Sequence, residues 1–125
     1  MPGVTLDTGA LIAIERADPR MQALLDEAHA AGLPIDIPAG ALAQAWRAGS
    51  RHARLARTLH LPNVAVPALD EAGAKAVGVL CGQRGTDDPI DASVVLNARR
   101  RGHTVVTSDP SDLRHLDPRL RVVTV

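Results

Sequence analysis

Val4-Thr5-Leu6-Asp7-Thr8-Gly9-Ala10-Leu11-Ile12-Ala13 is the stretch on which the reading of this chain turns. Three β-favouring residues run straight into an aspartate. After it comes an Ala/Leu/Ile series of helical character that continues to Arg16. A buried strand that ends on a carboxylate and passes at once into a helix is the opening unit of a parallel α/β sheet. Outward from it, helices are predicted over Pro19 to Ala31, with Gly32 as the stop, and from Pro38 to about Ala48. Further helices are predicted over Arg51 to Leu61, from Asp70 to the glycines Gly82 and Gly85, and over Asp88 to Arg101, stopped by Gly102. Strand signals fall at Ile35 to Ile37, Val64 to Val66, His103 to Thr107 and Arg121 to Val125, and Asp109-Pro110 opens a short helical turn. Strands alternating with helices, without a repeat or a low-complexity linker, predict one α/β domain over 1–125 with a mostly parallel sheet.

Composition narrows the class. The only aromatic residue among the 125 is Trp46, so the core must be built from Ala, Leu, Val and Ile, the usual filling between helices and a parallel sheet. No stretch has the roughly 18 apolar residues of a membrane span, and the N-terminus lacks the pattern of a secretion signal. The single cysteine, Cys81, excludes an internal disulfide framework and reads as a small buried hydrophobe. A cytoplasmic location is the expectation. The net charge of zero hides an uneven distribution. Arg47, Arg51, His52, Arg54 and Arg57 cluster mid-chain, Arg99, Arg100 and Arg101 follow later, and aspartates gather between Asp87 and Asp117.

The placement of the aspartates carries the chemistry. Asp7 ends the first strand and Asp109 closely follows the strand at 103–107, so a parallel sheet brings both to the same edge. Asp91 lies in the first turn of its helix, in line with Val94, Val95 and Ala98, and so points along an apolar stripe. An inward carboxylate without a cationic neighbour is costly. Converging carboxylates with no lysine near them in sequence suit a hard divalent cation, Mg²⁺ or Mn²⁺. Asp88 stands before Pro89, where it serves equally as a helix cap or as a site residue. Asp18, Asp112 and Asp117 read as caps or turn formers. The five histidines lack metal-ligand spacing and are expected in solvent, and the serines lack a nucleophile elbow.

Three segments in order resemble the PIN-domain family: Val4 to Ala13, Asp91-Ala92-Ser93-Val94-Val95-Leu96, and Val105 to Leu113 with its Ser108-Asp109. The resemblance covers essentially the whole chain, whose size is that of the VapC toxins of bacterial toxin–antitoxin pairs. It implies a three-layer α/β/α sandwich and a Mg²⁺- or Mn²⁺-dependent endoribonuclease with Asp7, Asp91 and Asp109 on the metal. It also implies a homodimer and a small VapB-like antitoxin. A fourth carboxylate, usually Glu, is implied on the helix after the second strand; Gln44 stands there instead, and Asp88 is the candidate to restore the count. That helix is expected to bury Leu42, Ala45 and Trp46, with Gln44 at the rim of the acidic centre. Thr8, Thr107 and Ser108 are expected to orient the acids. Arg47, Arg51, Arg54 and Arg57 are expected either to contact RNA phosphates or to form a solvated helix face. A catalytically weakened PIN-fold binding module is the rival reading, supported by Gln44. A receiver-like phosphoacceptor domain ranks last, because Lys75 is the only lysine and is misplaced.

Overall fold

The computed structural model describes residues 2–47 and 52–125. Five strands, all parallel, form one sheet: β1 (Val4–Leu6), β2 (Ile35–Asp36), β3 (Val64–Ala65), β4 (Thr104–Thr107) and β5 (Val122–Thr124). Their order is β3-β2-β1-β4-β5. Among the described residues seven helices surround it: α1 (Thr8–Glu15), α2 (Pro19–Ala31), α3 (Ala39–Ala45), α4 (Ala53–Leu59), α5 (Glu71–Arg84), α6 (Pro89–Arg101) and α7 (Pro110–Leu116).

Every residue of β1 and β4 is buried, so both faces of the sheet centre are covered, as the continuous apolar runs Val4 to Leu6 and Thr104 to Thr107 require. Leu6, Leu11, Ile35, Val94, Val95, Val105 and Val106 are fully enclosed in a core with no aromatic member. Cys81 is buried with them. The predicted stops hold: Gly32 and Gly102 close α2 and α6 in the left-handed conformation that glycine reaches without steric cost.

Chain order decides where a ligand fits. From β1 the sheet grows toward β2 and β3 on one side and toward β4 and β5 on the other. The crevice beyond the carboxyl ends of β1 and β4 is therefore the topological switch point, where open α/β sheets bind ligands. Asp7 and Asp109 follow those two strands.

One boundary differs from expectation. The helix predicted from Pro38 to Ala48 ends at Ala45, where Trp46 turns to an extended conformation (φ −77°, ψ 120°). Trp46 is consequently exposed rather than buried, and Ala41 takes the innermost place on α3. The helix predicted from Arg51 is described as α4 from Ala53, with His52 as its N-cap, and Arg51 itself lies outside the described residues.

Candidate active site

Asp7 does two things at once. It is the N-cap of α1, its Oδ1 accepting the Ala10 N–H at 3.0 Å, so Asp7 and not Thr8 caps this helix. Its Oδ2 accepts a short hydrogen bond from the Thr107 hydroxyl. The Thr107 oxygen in turn accepts the Asp109 N–H at 3.0 Å. One buried hydroxyl thus ties the acid after β1 to the backbone of the acid after β4. Gly9 eases the approach: a Cβ there would clash with the Ser108 hydroxyl and crowd the Ser108 Cβ and backbone N at 3.1 and 3.2 Å, so the β4–α7 turn closes on the start of α1 most readily over a glycine.

Burial holds the Asp7 carboxyl above the usual carboxylate range, with the charge of Asp109 adding to the rise. The Thr107 hydroxyl and the Ala10 and Gly9 amides pull the other way without cancelling it. Asp91, in the first turn of α6, is pushed up to about 7, first by burial and then by the charge of Asp88 and a hydrogen bond shared with its carboxyl. The charges of Asp112 and Asp7 contribute to the same rise. Asp88 caps α6, its Oδ1 accepting the Ile90 and Asp91 N–H groups at 3.1 and 3.0 Å. Cap and electrostatic neighbour of Asp91 are the same residue. Asp109 caps α7, its Oδ1 accepting the Ser111 N–H and hydroxyl at 3.3 and 2.8 Å.

Five aspartates are therefore linked electrostatically: Asp109 acts on Asp7, and Asp7, Asp88 and Asp112 act on Asp91. Asp112, expected only as a cap or turn former, sits in the first turn of α7 and adds to the field on Asp91. Its i+3 spacing from Asp109 was the available signal. Among the described residues, no Arg, Lys or His stands within ion-pair distance of any of the five. This donor set suits a hard cation: it is all carboxylate, and burial together with neighbouring carboxylates raises the pKa of Asp7 and Asp91. As the side chains stand, however, no three His, Cys, Asp or Glu among the described residues are arranged to hold a single ion.

Gln44 reaches the rim of this cluster. Its Oε1 accepts the Thr8 hydroxyl at 2.6 Å, one residue from Asp7. Thr8 thus serves Gln44 rather than an aspartate. Of the basic residues, Arg47 is exposed just beyond α3, whereas Arg54 and Arg57 line a cleft of about 230 Å³ between α2 and α4, with Asp26 and His29. Arg51 lies outside the described residues.

Sequence reasoning missed a second polar group under α6. Asp36 of β2 is buried, accepts the Asn97 amide at 3.0 Å and pairs with Arg101 Nε at 3.2 Å. Asn97 also donates to the Thr5 hydroxyl oxygen, which meets His103 Nδ1 at 3.0 Å. His103 and His52 are buried, contrary to the expectation of exposure, whereas His29, His60 and His115 are exposed.

No family model matches the sequence, and no curated protein does. Solved structures do match in fold. The chain aligns over 98% of its length and 98% of the other chain with VapBC2 from Rickettsia felis bound to a DNA fragment from their promoter, at 16% identity and a TM-score of 0.73. It aligns with FitAcB from Neisseria gonorrhoeae at 20% identity and a TM-score of 0.65, over 97% of this chain and 96% of that one. PAE2754 from Pyrobaculum aerophilum aligns at 20% identity and 0.60, over 96% and 82% of the two chains. The fold is the VapC-like PIN fold, with a central parallel sheet between helices. No described helix is long and apolar enough to cross a membrane.

Proposed function

We propose that the chain is a Mg²⁺- or Mn²⁺-dependent endoribonuclease and the toxin of a toxin–antitoxin pair. One observation carries the reading: five aspartates converge at the switch point of a PIN-type sheet with no protein counter-charge among the described residues. Placing unneutralised acids together is costly to the fold, and such sites are where a bound cation or a reacting group supplies what the protein withholds.

Asp7, Asp91 and Asp109 would hold the metal. A bound divalent cation there supplies acidified water and charge stabilisation on the phosphoryl oxygens. Thr107 fixes the Asp7 carboxyl and the Asp109 backbone in one arrangement, so the two acids stay in register. Asp88 caps α6 through Oδ1 and shares a hydrogen bond with Asp91, and its carboxylate would position the attacking water as general base. Arg47, exposed just beyond α3, would meet an RNA phosphate outside the acidic centre. A small VapB-like antitoxin would silence the site, as the fold likeness to toxin–antitoxin structures supports, and the chain would act as a homodimer.

The alternative, a PIN-fold RNA- or protein-binding module of weakened activity, draws on two facts. Gln44 stands where the family pattern has a carboxylate, and no three described side chains are poised for one ion. Incubation of the purified chain with total RNA, with Mg²⁺, with Mn²⁺ and with chelator, separates the two. Cleavage at defined ends that requires metal supports the nuclease; RNA bound but intact in all three conditions supports the module.

A further inference from the structure

Trp46 is the only aromatic residue of the chain, yet it is 43% exposed in a protein whose core contains no aromatic ring. Its position is fixed with some care. The indole stacks on the buried His52 ring, centroid to centroid at 4.7 Å and 22° from parallel. His52 Nε2 accepts the Arg47 N–H at 2.6 Å, so its proton sits on Nδ1, which faces Glu15 Oε1 at 3.9 Å. The same Glu15 oxygen accepts the Leu55 N–H at 2.8 Å, capping α4 from the end of α1. One ring face is thus braced by an anchored imidazole, and the exposure falls on the rest of the indole.

The location relative to the acids is also fixed. Gln44 binds Thr8 at the start of α1, and His52 faces Glu15 at its end. Those two points are seven residues apart, about 10 Å at the rise of an α-helix. Arg47 adjoins the ring in sequence, and Arg54 and Arg57 continue beyond it on α4.

We propose that Trp46 is a base-stacking platform for single-stranded RNA, holding an unpaired base beyond the end of α1 that leads away from the bond to be cut. The proposal rests on the ribonuclease reading above and adds to it a residue that grips a base rather than a phosphate. A flat, rigid, half-exposed indole beside guanidinium groups is the chemistry that recognises a splayed base, since every base has a π face and stacking tolerates sequence. Burying the ring in the core would forgo this. The one place where the sequence spends an aromatic side chain is outside the core, on the side of α1 leading away from the acids.

Because Trp46 is the sole fluorophore of its kind, its emission reports contact with a base directly. The wild-type chain, in chelator at low ionic strength, is titrated with a short single-stranded oligoadenylate RNA and, separately, with inorganic polyphosphate. Binding is followed independently by anisotropy of a label on the RNA. RNA is expected to quench the Trp46 emission; polyphosphate, with charge but no bases, leaves it unchanged. Trp46→Ala should weaken RNA binding about tenfold or more, and Trp46→Phe should recover most of the loss with an unchanged melting temperature. RNA that binds without altering the emission, or polyphosphate that quenches as strongly, overturns the stacking role and leaves the ribonuclease reading standing. RNA that neither binds nor is cut when metal is restored overturns both.

Discussion

Two groups of buried or half-buried aspartate flank the same strands and are treated in opposite ways. Asp36, in β2, is given its own counter-charge and donor: Arg101 at 3.2 Å and the Asn97 amide at 3.0 Å, with the His103 ring 3.8 Å away. Asp7 and Asp91, at the carboxyl edge, receive hydroxyl and amide donors or none, and face further carboxylates instead of guanidinium groups. A lone polar group inside a protein must be satisfied from somewhere. Under α6 the chain satisfies it internally, which makes Asp36 architecture. At the switch point it leaves the deficit open, and such breaches of local rules concentrate where function is performed.

The sharpest way to break the contrast is to neutralise one acid in each group. Asp7→Asn keeps the helix cap through its one oxygen but turns an NH₂ toward the Thr107 hydroxyl; losing the buried charge offsets part of that cost, so the melting temperature should fall only modestly. RNA cleavage should fall at least about 100-fold, because the strand-end charge is gone. Full cleavage by a well-folded Asp7→Asn chain would place the site elsewhere. Asp36→Ala should do the reverse, costing about 2–3 kcal/mol in denaturant unfolding, as expected on removing one partner of a buried pair whose arginine is half exposed. Activity per folded molecule should then stay within a few-fold. A larger loss of activity than of stability would mean that Asp36 belongs to the site.

Asp91 sharpens the contrast in the other direction, since removing its charge should stabilise the metal-free chain. Its folded pKa of about 7 lies above the ordinary 3.8, so between those values the folded state holds a proton that the unfolded state releases. Stability contributed this way is complete below about pH 4 and is lost as pH rises through about 7. The full shift would correspond to about 4 kcal/mol at about 1.4 kcal/mol per unit. Asp91 is only partly buried, so solvent screening leaves roughly 1–2 kcal/mol. His103 has the opposite sign: burial lowers its pKa, despite the pull of Asp36, and stability falls as pH drops below 6.5. The difference between wild type and Asp91→Asn isolates the carboxylate. Unfolding in chelator from pH 5 to pH 8 should show Asp91→Asn gaining on the wild type as pH rises. Parallel curves would refute the raised pKa.

What could be read from the sequence tracks how local the cause is. Strand-end and helix-start acids were legible because caps and short apolar runs act within a few residues: Asp7, Asp88, Asp91 and Asp109 lie at the predicted edge, and Gly32 and Gly102 end their helices. The knot around Asp36 was not legible, because Asn97 is 61 residues away and His103 is 98 residues from Thr5. The same distance hid the burial of His103, a residue type whose default is solvent. Trp46 was misplaced for another reason. Helical periodicity puts it on the inner face of α3, but the helix ends one residue earlier and the extended ψ of Trp46 swings the ring out to His52. Arg54 and Arg57 fall on an exposed helix face as expected, yet only the packing of α4 beside α2 reveals the cleft they line.

Gln44 offers the smallest and most specific adjustment to the contrast between the two groups. The amide carbonyl accepts the Thr8 hydroxyl at 2.6 Å, and a carboxylate oxygen accepts the same proton in the same position. Gln44→Glu therefore changes charge without requiring a change of geometry. The added negative charge would sit one residue from Asp7, whose carboxyl is already raised by burial and by Asp109. In the metal-free chain this enlarges the uncompensated deficit, and stability at neutral pH should fall by about 0.5 kcal/mol, the scale of an exposed like-charge contact. With Mg²⁺ or Mn²⁺ the sign reverses, because the extra carboxylate favours the cation that neutralises the cluster. Metal affinity should rise several-fold, and half-maximal cleavage should come at lower metal concentration. Gln44→Ala, which frees the Thr8 hydroxyl but adds no charge, should change affinity less than twofold. Calorimetric titration of the three chains with Mn²⁺ measures the difference. Equal affinity of wild type and Gln44→Glu would show that residue 44 faces Thr8 alone, and that Asp88 or Asp112 completes the acidic site.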